Sequence, residues 1–149
     1  MNARNNGVMI GRAARDPHRE VNSDGSEKWF LTVAVQDNFK SKDGSYRTNY
    51  LPVEGMVSAN HASADKHGAW PNIHKGDRIA VGYHLKMEQY EKNGQTEYKL
   101  KVIVDDISLE EPKSVTSARQ AKNQADAAAQ AEAPVGADEA DGEGMPFDA

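Results

Sequence analysis

The strongest constraint on the fold is a strict alternation of apolar and polar residues between positions 79 and 90. One set of alternate positions holds Ile79, Val81, Tyr83, Leu85 and Met87. The positions between them hold Ala80, Gly82, His84, Lys86, Glu88 and Tyr90. A period of two residues is that of a β-strand, so this segment is predicted to be a strand with one buried face and one solvated face.

Tyr90 is the exception in this pattern, because an aromatic ring stands on the solvated face in line with Lys86. A tyrosine near a strand end most often covers the edge of the core, and Tyr90 taken alone fits that description best. A ring and a cation on one solvated face can also hold a base and its phosphate. The choice depends on whether other strands repeat the pattern.

The length of 149 residues favours one domain, or one domain with a tail. The absence of cysteine excludes disulfides and thiolate metal sites and fits a reducing compartment. No apolar run follows the first residues as in a secretory signal, and no stretch approaches the roughly 20 apolar residues of a membrane helix. We therefore expect a cytoplasmic protein with no membrane partner.

Composition changes sharply after Pro112. Residues 1–112 contain 15 Lys and Arg against 16 Asp and Glu, whereas residues 113–149 contain 3 against 7. The formal charge of -5 therefore belongs mostly to the second region, and a near-neutral domain is still able to carry a basic groove. We predict a folded domain at 1–112 and a disordered linker at 113–149, because the second region has no apolar face to bury.

The end of the chain is acidic but also carries large hydrophobic residues. Acidic tails usually keep a protein soluble, a role that Met145 and Phe147 do not serve. This combination favours a short peptide ligand that recruits partner proteins. Its predicted contact residues are Asp141, Glu143, Met145, Pro146, Phe147 and Asp148.

Four further segments alternate as strands do, which makes five with the segment at 79–90. They cover residues 7–11, 29–35, 46–56 and 96–104, and a short helix is predicted at 58–67. In the last strand the inward positions are Tyr98, Leu100, Val102 and Val104. Hairpins are expected at 23–26 and at Asn93–Gly94, and a bulge at Asp105–Asp106. Five strands with a helix between the third and fourth is the order of the OB-fold, an all-β Greek-key barrel.

Aromatic residues recur outside the inward-facing sets. Phe39, Tyr50 and Tyr90 each have Lys or Arg close in sequence. Rings stack on any base, each contributing about 1–3 kcal/mol, while cations neutralise phosphates, so the pattern favours sequence-tolerant binding of single-stranded nucleic acid. Phe39 falls in a predicted polar loop, where it either stays exposed or folds back onto the core.

A catalytic or metal site is the other interpretation that the sequence raises. His61, His67 and His74 lie close in sequence, but their spacing matches no common zinc ligand set. The chain shows no arrangement of a nucleophile with a base, no phosphate-binding glycine loop and no paired carboxylates at a strand end. We expect no metal, no cofactor and no enzymatic activity.

The chain resembles the bacterial and phage single-stranded DNA-binding protein family. The resemblance spans the whole chain, including a flexible linker and an acidic tip that contains Pro-Phe. It is carried by residues 7–12 with Arg15-Asp16-Pro17, 31–35 followed by Phe39, 49–53, 75–81, and Tyr90 before Asn93–Gly94.

The resemblance implies base stacking at Phe39, Tyr50 and Tyr90, with Met56 standing where the family usually has a further aromatic residue. It also implies a homotetramer, formed through the first strand and sheet faces, that acts in DNA replication, recombination and repair and recruits partners through its tip. Phosphate contacts are predicted from strand parity at Arg12, Lys40, Lys42, Arg47, Lys86 and Lys92. The alternative is an OB-fold adaptor that binds protein or RNA.

Two features depart from the family pattern. The stretch at 57–74 is longer than usual, and Asp148 and Ala149 follow Phe147, where the family ordinarily ends at Phe. In the family, partner proteins read the ring together with the terminal carboxylate, so the second departure calls this recognition into question. The Asp148 side chain is the alternative source of that carboxylate.

Overall fold

The computed structural model describes residues 2–60 and 68–132. It contains six strands, a 3₁₀ turn at Trp70–Asn72 and one α-helix. The elements are β1 (Gly7–Ala13), β2 (His18–Val21), β3 (Glu27–Lys40), β4 (Tyr46–Val57), β5 (Arg78–Lys92), β6 (Gln95–Leu109) and α1 (Lys113–Glu132). Most of the short helix predicted at 58–67 lies outside the described residues.

The strands form one sheet that closes on itself. Their order is β1-β5-β6-β4-β3-β2, and a further pairing of β1 with β3 joins the two sides. The closed part is a five-stranded barrel, as predicted, and β2 is a short addition paired with β3. The sequence analysis missed β2 because its four residues are all exposed and carry no apolar alternation.

Inward side chains of the barrel strands form a single core. Trp70 and Ile73, from the segment between β4 and β5, complete it and are 5% and 2% exposed. The rings of Trp29 and Trp70 stack with centroids 5.8 Å apart. The buried hydrophobic residues are Met9, Ala13, Trp29, Leu31, Val33, Val53, Val57, Trp70, Ile73, Ile79 and Val81.

The hairpin of β5 and β6 extends past the barrel as a two-stranded arm, residues 85–100. The prediction that the arm's apolar residues face the core is wrong: Leu85, Met87, Tyr98 and Leu100 are 43%, 59%, 66% and 57% exposed. Each of the two strands has 15 residues, and in the described part of the chain the core contacts stop near Tyr83 and Val102. Alternation predicts which residues share a face, but it does not predict that another element covers that face.

Two local predictions about this hairpin are confirmed. Its tip is the two-residue turn Asn93–Gly94, with φ of 53° and 76°, the left-handed values that such turns require. The register shifts between Gly82, which pairs with Asp106, and Tyr83, which pairs with Val104. Asp105 is therefore the extra residue of the predicted bulge.

Residues 113–132 form helix α1, so the prediction of disorder is wrong for this part of the tail. The side chains of α1 that contact the barrel are polar and lie on one face of the helix. The sequence analysis considered only an apolar face and therefore missed this polar stripe. The stripe consists of Thr116, Arg119, Gln120 and Asn123. Residues 124–132 are exposed, and residues 133–149, with the whole predicted tip, lie outside the described part.

Arg119 is the centre of this contact. One of its Nη atoms donates to Asp77 Oδ1 at 2.9 Å and lies 2.6 Å from Glu111 Oε2. Asp77 is fully buried, so Arg119 supplies the opposite charge that a buried carboxylate needs. Farther along the stripe, Gln120 Nε2 lies 2.8 Å from His74 Nδ1, and the Asn123 amide donates to the Lys75 carbonyl at 3.0 Å.

We expect Arg119→Ala to release α1 from the barrel. A hydrogen bond to a charged group contributes about 2 kcal/mol, and a free helix of this length is only marginally stable in water. Helical circular dichroism should fall and the α1 amides should exchange faster with solvent. Lys122→Ala, at an exposed position of the same helix, is the matched control, and equal exchange rates in the two variants would contradict the assignment.

The docking of α1 should also weaken in acid. The hydrogen bond from Arg119 is the main cause that lowers the pKa of Glu111 from 4.5 to about 2. A carboxylate whose pKa is lowered stabilises the docked state above its ordinary pKa, and this stabilisation is lost as the pH falls from about 4.5 towards 2. The helical signal should therefore drop in this range, and Glu111→Gln should flatten the drop. Parallel curves for the two proteins would exclude Glu111 as the titrating group.

Candidate nucleic-acid interface

The outward-facing residues of β3, β4, β5 and β6 form one continuous surface, here called the outer face. Tyr50 and Met56 project from β4, in the positions that alternate with the buried Val53, and are 65% and 57% exposed. Tyr90, 40% exposed, lies on the corresponding face of the arm. The strand parity of the sequence analysis thus placed these three side chains on the same side of the sheet.

Phe39 does not fold back onto the core. It lies near the end of β3 rather than in a loop and is 83% exposed. A hollow of about 580 Å³ surrounds it, and three of the predicted phosphate contacts contribute to the lining. The lining residues are Asp37, Phe39, Lys40, Ser41, Lys42, Asp43 and Arg47.

Cations also flank Tyr90 on the arm. Lys86 and Lys92 are exposed and share the strand parity of Tyr90, and Lys86 lies opposite Lys101. The Tyr90 hydroxyl donates to Glu97 Oε2 at 2.8 Å, and this bond raises the pKa of Tyr90. The bond restrains the ring at the edge of the arm and leaves part of it exposed.

Arg12 lies beside the outer face, level with Tyr50, because Arg12 pairs with Ala34 and Ala34 with Tyr50. Its guanidinium donates to the Gly76 carbonyl at 2.9 Å and to Glu111 Oε1 at 3.0 Å. It lines a second hollow of about 420 Å³ together with Gln36, Thr48 and Arg78. A phosphate at Arg12 has to compete with the Glu111 carboxylate.

Carboxylates on the outer face are neutralised by lysines that the sequence analysis did not select. Glu54 lies 3.4 Å from both Lys28 Nζ and Lys101 Nζ. Lys101 also pairs with Glu88, and this bond raises the pKa of Lys101 and lowers that of Glu88. Because Lys101 shares the parity of Tyr90 across the hairpin, the strand pattern was a sufficient signal to find it.

Phe30 is a second omission. It faces outward from β3, pairs with Glu54 across the strands and is partly exposed. The alternation of residues 29–35 had already placed it outward, but it has no lysine or arginine directly beside it in the chain. Lys28, two residues away, is the cation that approaches its ring.

The structure tests the predicted absence of a metal site and of a membrane helix only for the residues that it describes. No set of three potential metal ligands converges within residues 2–60 and 68–132. His74 contacts Gln120, whereas His61 and His67 lie outside that range. None of the helices described has the length and apolar character needed to cross a membrane.

Comparison with known proteins extends these observations. Residues 4–110 match the model of the single-strand binding protein family. The chain is 30% identical over 115 residues to single-stranded DNA-binding protein 2 of Streptococcus agalactiae, covering 76% of this chain and 82% of that protein. It is 27% identical over 108 residues to the single-stranded DNA-binding protein of Caldanaerobacter subterraneus, covering 72% and 68% of the two chains.

A solved structure with a similar fold is a deletion variant of the single-stranded DNA binding protein from Thermus aquaticus. The TM-score is 0.56 at 23% identity, and the match covers 73% of this chain and 51% of the other. This chain therefore matches about half of that protein, and the likeness shows the barrel fold alone. The match of the family model across the barrel shows more: the chain belongs to the single-strand binding protein family.

Proposed function

We propose that this protein binds single-stranded DNA with little sequence preference and without catalysing a reaction. The observation that carries the proposal is the exposure of Phe39, Tyr50 and Tyr90 on strands of one sheet with cations beside them. Stacking on rings is tolerant of sequence because every base has a π-face. A rigid sheet also holds the rings in place before DNA arrives, which lowers the ordering cost of binding.

Two groups of cations are proposed to contact phosphates. Lys40, Lys42 and Arg47 surround Phe39, and Lys86 and Lys92 flank Tyr90. Each group of cations therefore lies next to a ring. A DNA strand requires this arrangement because its bases and phosphates alternate. Arg12 is proposed as a weaker contact because it is already paired with Glu111.

The first strand supports a homotetramer. β1 pairs with β5 along residues 7–12 but with β3 only at Arg12 and Ala13, so among the described strands one edge of residues 7–11 has no partner. Val8 and Ile10 are 66% and 50% exposed on this strand. An open strand edge with apolar side chains favours pairing with a second copy.

The tip is proposed to recruit proteins of DNA replication, recombination and repair at the nucleoid. This proposal rests on the acidic and apolar sequence of residues 139–149 and on the family resemblance. Proline lowers the ordering cost of a peptide ligand, and Phe147 is able to fill a pocket on a partner.

Removal of rings should weaken binding without changing its electrostatics. We expect Phe39→Ala and Tyr90→Ala each to weaken oligo-dT binding at least about fivefold, in line with measured stacking contributions. The slope of log affinity against log salt should not change, because no cation is lost. Titrations that follow tryptophan and tyrosine emission at several salt concentrations measure both quantities.

Tyr98→Ala is the matched control, since Tyr98 is 66% exposed on the opposite face of the same arm. A double Phe39→Ala, Tyr90→Ala variant that binds oligo-dT as well as the parent would exclude the stacking assignment. Competition with duplex DNA and with RNA tests the substrate. A preference for the duplex contradicts the proposal, and a preference for RNA favours the adaptor alternative.

Deletion of residues 139–149 should leave oligo-dT affinity intact or raise it at low salt. The removed segment is acidic and competes with DNA for cationic side chains, and this competition is screened as salt increases. Affinity of the deletion variant measured at low and high salt tests this. A scrambled tip of the same composition is the control, and a large loss of affinity on deletion would show that the tip contributes to DNA binding.

A further inference from the structure

Phe30 lies on the outer face between the levels of Tyr50 and Met56. In the register of β3 and β4, Tyr50 pairs with Ala34, Phe30 with Glu54, and Met56 with Lys28. Tyr50 and Met56 are six residues apart, or about 20 Å along an extended strand. Phe30 lies between their levels on the neighbouring strand, diagonal to Met56.

The Phe30 ring contacts polar groups rather than the core. Its neighbours Trp29 and Leu31 are buried on the inner side of β3, whereas Phe30 is outside the core cluster. Lys28 Nζ lies 5.0 Å from the Phe30 ring centroid. The His18 ring, contributed by β2, stacks on Phe30 with centroids 6.1 Å apart and planes at 30°.

The acidic groups beside Phe30 are each paired with a basic side chain. Glu54 lies 3.4 Å from Lys28 and from Lys101, and Glu20 lies 3.4 Å from His18 Nε2. An incoming phosphate therefore meets carboxylates that already have partners. This arrangement differs from a ring that merely covers the core, which needs no cation or imidazole against it.

We propose that Phe30, with His18 and Lys28, is a further base-stacking platform of the DNA interface. The inference rests on the proposed function. It extends the path of the bound DNA strand from Tyr50 across Phe30 on β3 towards Met56. A base that stacks on Phe30 displaces the Lys28 ammonium from the ring. Because a cation–π contact at an exposed site is weak and Glu54 keeps Lys101 as its partner, the Lys28 ammonium is able to move to the adjoining phosphate. β2, with no partner other than β3 among the described strands, then serves to place His18.

The test compares three substitutions at Phe30 in the full chain, with oligo-dT as the probe. Phe30→Ala and Phe30→Leu should each weaken binding about fivefold or more, because both remove the ring. Phe30→Tyr keeps the ring and should bind as the parent does. Lys28→Gln should lower the salt slope by about 0.7, the value for one phosphate on a single strand.

The outcomes separate this inference from the function on which it rests. If the Phe39 and Tyr90 variants lose affinity while Phe30→Ala and Phe30→Leu do not, the Phe30 platform is excluded and the proposed function stands. If none of these variants loses affinity, both fail. Should Phe30→Ala fail to fold, the Leu and Tyr variants still decide, and equal binding by those two overturns the stacking role.

Discussion

Pairing of Arg12 and Ala13 with Ala34 and Val33 closes the sheet into a barrel, and the other features depend on this closure. Once the barrel is closed, each residue in the closed part of a strand points either into the core or away from it. The inward side chains pack around Trp29 and Trp70, so the outward side chains are not needed to form the core. Tyr50 therefore stays exposed on the barrel while its backbone is fixed by cross-strand pairing. Phe39 and Tyr90 stay exposed because they lie beyond the core, near the end of β3 and on the arm.

Local pairing of charges, rather than net charge, determines what this surface attracts. The chain carries a formal charge of -5, yet three of the carboxylates near the rings are engaged. Glu54 and Glu88 pair with lysines, and Glu97 accepts the hydroxyl of Tyr90. Meanwhile the cations around Phe39 and along the arm remain exposed. A chain that is acidic as a whole thus still presents a surface suited to phosphates.

Alternation in the sequence was sufficient to predict the barrel, the bulge at Asp105 and the shared face of Tyr50 and Tyr90. It failed where the outcome depends on a partner element. Leu85 and Met87 alternate as core residues do. They are exposed because the arm extends past the barrel and no described element covers it. Helix α1 was missed because a buried charge, Asp77, holds it through Arg119, and burial of a single aspartate leaves no periodic signal.

Glu111 connects the first strand to helix α1. One carboxylate oxygen accepts from Arg12 and the other contacts Arg119. An anion that draws Arg12 away leaves the carboxylate to Arg119 and to the Arg78 amide, which strengthens the docking of α1. By thermodynamic linkage, docking of the helix then raises the affinity of Arg12 for that anion by the same factor. A single glutamate in this way makes the position of helix α1 sensitive to anion occupancy at Arg12.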